Sequence, residues 1–203
     1  MPLEPSEFAL VDRRVTQLFA LVSEALARAS HALLQGEPST AQAVVEGDRA
    51  VDDLTTEVER LVWRLIDAGP PGQEELRHLV AVLLILPELE RSADLAEHVA
   101  QRAIAHLGTE MSPVSRGIVQ RMTEVALEMW RSVADAFGDR SSQGVALDEA
   151  DEEMDILHDR LTREVSAEAM PVTVAAQVTL LGRFYERLGD HAVNLARRIE
   201  TLP

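Results

Sequence analysis

The chain has no cysteine and no lysine among its 203 residues. Without thiols it can form no disulfide and offers no thiolate to a metal. Its 19 basic residues, all arginine, face 35 acidic ones, giving a net charge of -16 and a pI near 4.7. A protein that grips nucleic-acid phosphates needs a basic patch, so nucleic acid is excluded as a partner. Aromatics make up 3% of the residues and the 46% apolar content is carried by Ala, Leu and Val, which suits helices packed through aliphatic seams. The longest apolar run, LVAVLLILP (79–87), is too short to cross a bilayer. The N-terminus lacks the basic-then-apolar order of a signal peptide. A soluble, cytoplasmic protein is expected. No stretch alternates with the period of a strand, and no glycine-rich phosphate loop or nucleophile motif is present.

What is there is helical periodicity. Phe8, Val11, Val15, Leu18, Phe19, Val22, Leu26, Ala29 and Leu33 recur at steps of three and four and predict a first helix over 4–35. Gly36-Glu37-Pro38-Ser39 breaks it. A second helix is expected over 40–67, closed by Gly69-Pro70-Pro71-Gly72, and a third over 73–106, with Pro87 inside it removing one intrahelical hydrogen bond. The pattern then repeats: helices over 114–137, 147–169 and 172–200, with a polar connection at 138–144 and a turn at Pro171. The reading is an all-α protein of two tandem three-helix bundles, an internal duplication with repeats at 1–109 and 110–203. Leu83, Leu86, Leu89 and Ala93 are expected in the core, as are Leu181, Leu188, Ala192 and Leu195. Val119, Met129, Trp130 and Trp63 exceed what one stripe per helix can bury, so self-association as a homodimer is expected.

The duplication is sharpest in two acidic stretches. RFYERLGDHAVNLARRI (183–199) places Glu186, Asp190 and Asn194 four residues apart, stacked on one helix face. LERSADLAEHV (89–99) places Glu90, Asp94 and His98 at the same spacing. Each preceding helix carries a second acidic pair, Asp48 with Asp52 and Asp151 with Asp155. Asp52 and Glu90 each lie 19 residues from Pro71, and Asp48 and Asp94 each lie 23 from it. Equal rise per residue brings such positions to equal height on antiparallel neighbours. About Pro171 the distances are 16 and 15 for Asp155 and Glu186, and 20 and 19 for Asp151 and Asp190. Four grouped carboxylates repel unless protonated, solvated or bridged by a cation, and oxygen-only ligands suit magnesium, calcium, manganese or iron. The plainer alternative is a solvated acidic face with intrahelical partners in Arg91 and Arg187.

A di-iron bundle enzyme would need two E-x-x-H motifs. Glu75 and His78 supply one, and His158 follows Asp155 without the required Glu.

These stretches together resemble the PhoU family, regulators of bacterial phosphate uptake and signalling. ERLGDHAVN (186–194) is similar to its signature, and ERSADLAEH (90–98) to the degenerate second copy. GDRAVDDL (47–54) and ADEEMDIL (150–157) resemble its D-x-x-V-[ND]-x-L helix, and ELRHLVAVLLI (75–85) the entry to its third helix. The resemblance implies a cytoplasmic, non-enzymatic negative regulator that contacts the phosphate ABC transporter ATPase and a sensor histidine kinase. An accessory protein of an ion-coupled phosphate transporter is the alternative. It further implies a metal ion or cluster (iron, zinc, magnesium or manganese) and no organic cofactor. The implied metal ligands are Asp151, Asp155, Glu186 and Asp190, and Asp48, Asp52, Glu90 and Asp94, with Asn194 and His98 beside them. Two departures from the pattern lie in the first copy: His98 in place of Asn, and Ser92-Ala93 in place of Ile-Gly.

Overall fold

The computed structural model describes residues 5–69, 71–139, 147–167 and 170–200. Glu4, Pro70, the connection at 140–146 and the expected last turn at 168–169 lie outside the described residues. Among the described residues eight helices follow one another: α1 (Pro5–Gln35), α2 (Pro38–Gly47), α3 (Arg49–Asp67), α4 (Gln73–Ile104), α5 (Leu107–Glu110), α6 (Pro113–Asp139), α7 (Asp148–Ala167) and α8 (Val172–Ile199). The architecture is the expected all-α pair of three-helix bundles. α1, α2–α3 and α4 form the first bundle and α6, α7 and α8 the second, joined by α4 on α8 and α1 on α6.

α1 ends at Gly36, whose φ of 70° lets the Glu37 N–H reach back 2.9 Å to the Ala32 carbonyl. The expected second helix is interrupted once. At Asp48 the carbonyl accepts a tight bond from the Val51 N–H at 2.9 Å and only a long one from Asp52 at 3.4 Å, separating α2 from α3. α4 runs on through Pro87, which lies on its exposed face. His106, at φ 59°, ends the chain's first half, and α5 packs against α1, α4 and α8. Gly108 allows that contact, because a Cβ there would lie 1.8 Å from the Leu33 carbonyl oxygen.

Leu86, Leu89 and Ala93 are buried, as are Leu181, Leu188, Ala192 and Leu195, while Leu83 is only partly so. One apolar core runs through both bundles. Val119, Met129 and Trp130 fill it, Trp130 donating its indole N–H to the Leu188 carbonyl at 3.1 Å. Only Trp63 of the four supposed surplus residues is exposed; the other three are covered within the chain itself. Tyr185 pins the junction: its hydroxyl lies 2.8 Å from Ser30 Oγ and 3.0 Å from Thr123 Oγ1, joining α8 to α1 and α6.

Two acidic rows as the candidate functional site

The first row forms where α2 gives way to α3 against α4. Asp48 sits half-buried at that junction, and its carboxyl is pushed up to about 6 by burial first, then by Asp52, Glu97, Asp94 and Glu90. The other three expected acids of this half thus all act on Asp48 electrostatically. Glu97 joins them unforeseen; it is two turns beyond Glu90 on the same helix, and extending the row by one heptad finds it. Asp48 lines a cleft of about 110 Å³ whose other walls include Leu21, Arg28, Val44 and Ala93.

The second row lies between α7 and α8. Asp151 is raised by burial, then by Asp155 and Asp190, with Arg197 opposing. Glu186 is raised by burial and Asp190, while Arg183 and His158 pull it down. Arg183 supplies the direct ion pair to Glu186 Oε1, rather than the expected Arg187, and Glu186 Oε2 is buried with no hydrogen-bond partner among the described residues. The two rows thus differ electrically. Arginine and histidine temper the second, whereas the charges that act most strongly on Asp48 are all negative.

The donor chemistry of both rows suits a hard cation, but the geometry does not close around one. Among the described residues, no three carboxylate or imidazole groups converge so as to hold a metal ion. His98 stacks on Phe184 at 5.2 Å, and Arg102 lies 4.9 Å over the other-half ring as well. Asn194 is half-buried and makes no hydrogen bond to the row among the described residues.

The lone E-x-x-H is structural. Glu75 caps α4 by accepting the Gly72 N–H at 2.7 Å, and His78 Nε2 lies 2.8 Å from Asp12 Oδ1.

Sequence reasoning missed a buried polar cluster at the α4–α8 crossing. Ser92 Oγ lies 2.8 Å from His191 Nδ1, and Glu88 lies 3.9 Å from His191 Nε2 and 3.4 Å from Arg198. Both departures from the family pattern, Ser92 and His98, fall on this crossing: each meets a side chain of the other half. Glu90 and Asp94 on the same helix are exposed.

Fold and rows together define a duplicated helical-bundle protein with an acidic row in each half. The chain belongs to the PhoU family: the PhoU domain model matches residues 15–103 and again 119–199. It is 34% identical over 200 residues to the phosphate-specific transport system accessory protein PhoU homolog of Caulobacter vibrioides, covering 95% of this chain and 86% of that one. It is 28% identical over 199 residues to the homolog of the same name in Rhizobium meliloti, covering 95% and 84%. The crystal structure of PhoU from Pseudomonas aeruginosa has the same fold, with a TM-score of 0.90 at 23% identity over 97% of both chains. Among the described residues no helix is long and apolar enough to cross a membrane.

Proposed function

We propose that this protein is an accessory regulator of a phosphate-specific transport system, acting in the cytoplasm by binding other proteins and not by catalysis. It restrains uptake and the phosphate-starvation response through contacts with the transporter's ATPase and a sensor histidine kinase. The observation that carries the reading is the pair of acidic rows, one in each half of a chain that matches the family twice. We take 1–109 and 110–203 as the two repeats. Each row gathers like charge that the chain itself leaves partly unbalanced, which favours meeting an oppositely charged group from outside.

The test is a pull-down with the full chain from cells grown in high and low phosphate, with partners identified by mass spectrometry. Recovery of the transporter ATPase and the kinase, changing with phosphate, is the expected outcome. Recovery of an ion-coupled phosphate transporter instead would assign the protein to that system, and recovery of neither would overturn the reading.

A second reading keeps a metal in the second row, and the buried, unpartnered Glu186 Oε2 favours it. Asp151, Asp155, Glu186 and Asp190 would hold the ion, supplying the positive charge that Arg183 and Arg197 provide only in part. Elemental analysis of the purified protein, with melting curves in chelator and in added manganese, iron, zinc or magnesium, tests it. A cation bound by the folded state raises the melting temperature in proportion to the logarithm of its excess.

A further inference from the structure

The exposed face of α4 is not uniformly polar. Leu76, Val80 and Leu84 stand at four-residue steps with 41%, 44% and 49% of their surface exposed, while Leu79, Val82, Ile85 and Leu86 fill the core from the opposite face. A lone exposed leucine is ordinary, but a stripe is not. The stripe is also duplicated. Glu90 and Glu186 are 96 residues apart (186 minus 90), and the same offset carries Leu76, Val80 and Leu84 onto Val172, Ala176 and Leu180 of α8, all exposed. Interior positions under that offset have diverged, Ser92 standing opposite Leu188 and Leu89 opposite Tyr185.

Each stripe leads into an acidic row on the same face. Leu76 and Asp94 are 18 residues apart, as are Val172 and Asp190, and 18 residues is about five turns, so each pair lies in line along its helix. α4 and α8 run antiparallel, since Glu88 meets His191 and Arg198 while the later His98 meets the earlier Phe184. The two apolar ends therefore point to opposite ends of the pair.

We propose that each of these faces docks an amphipathic helix of a partner protein, with apolar anchors on the stripe and Arg or Lys side chains against the acidic row. The proposal deepens the reading of the protein as a regulator that works by binding proteins. Charge selects the occupant. A second copy would bring its own net charge of -16 and its own acidic rows, and an anionic membrane surface would be repelled in the same way. A helix with apolar residues at four-residue steps followed by basic ones complements both parts of the face.

The probe is a fluorescent synthetic helix bearing three leucines at four-residue steps with arginines two turns further on, titrated with the full protein by anisotropy. Saturable binding that weakens with salt is expected. Leu84→Ser with Leu180→Ser should weaken it about tenfold or more, as expected for losing buried leucine surface. Glu90→Gln with Asp190→Asn should weaken it and flatten its salt dependence, whereas Glu59→Gln with Glu128→Gln, exposed acids outside the rows, should leave it unchanged. All these positions are solvent-facing, and unaltered melting curves verify that the variants fold. Equal loss from the control acids would reduce the binding to net charge and overturn the proposal, as would undiminished binding by the Leu→Ser variant. Binding to phosphatidylserine vesicles through the same leucines, or a dimer in sedimentation that Leu84→Ser dissociates, would assign the stripe to a membrane or a second copy instead. Failure of the peptide to bind would leave recovery of transporter subunits in the pull-down unaffected, so the two readings stand or fall separately.

Discussion

His191 Nδ1 lies 2.8 Å from Ser92 Oγ in the buried crossing of α4 and α8. Ser92 donates its own hydroxyl hydrogen to the Glu88 carbonyl at 2.6 Å, so its oxygen accepts the Nδ1–H of the imidazole. Burial holds the His191 pKa below its ordinary value of 6.5, with Glu88 opposing and Arg187 and Arg91 adding to the effect. The folded state therefore binds this proton less readily than the unfolded chain. Its contribution is fully present above the ordinary imidazole range and is lost as pH falls through the depressed folded value. His191→Gln keeps a hydrogen-bonding group beside Ser92 but cannot titrate. The gap in melting temperature between the unmodified protein and this variant should shrink from pH 7.5 to pH 5.5; a constant gap would remove His191 from the titration.

Asp48 works in the opposite sense. Its folded pKa of about 6 lies above the unfolded value of 3.8, so the folded state holds its proton more tightly and loses that stability as pH rises through 6. At pH 7 the ionised carboxylate faces four other acids. Asp48→Asn should stabilise the protein there by about 1 kcal/mol after allowance for solvent screening, or about 2–4 °C in melting temperature. The gain should vanish below pH 4. Destabilisation at pH 7 would mean that a bound cation or an unseen partner already satisfies Asp48.

Leu188 is fully buried, and its carbonyl receives the Trp130 indole. Leu188→Asp should cost about 3 kcal/mol or more by burying an unpaired charge. Thermal melting measures this directly, and an unchanged midpoint would mean that this face of α8 is not part of the core.

The fold was legible because each long helix carries an uninterrupted aliphatic stripe, and the duplicated E-R-x-x-D made the two halves visible. Counting from Pro71 and Pro171 placed the acids at matching heights, and Glu90 and Asp94 act electrostatically on Asp48, as Asp190 does on Asp151. Side-chain direction was not legible. Spacing along one helix cannot say that His98 stacks on Phe184, that Ser92 meets His191, or that Arg183 rather than Arg187 pairs with Glu186. The first two depend on how the two bundles cross, whereas Arg183 and Glu186 lie one turn apart on α8 itself; Val119, Met129 and Trp130, expected as a surplus beyond one stripe per helix, are buried within the chain.

The central claim is that the acidic rows lack sufficient positive charge in the isolated chain and are completed by a partner protein, not by a resident metal. Replacing Glu186 and Asp190 together by Ala, and comparing thermal stability of the purified proteins at pH 7 with their metal content, addresses it most directly. Relief of repulsion predicts a melting temperature equal to or above that of the unmodified protein, with no metal in either. A lower melting temperature, accompanied by loss of a metal present in the unmodified protein, would contradict the claim and establish the second row as a metal site.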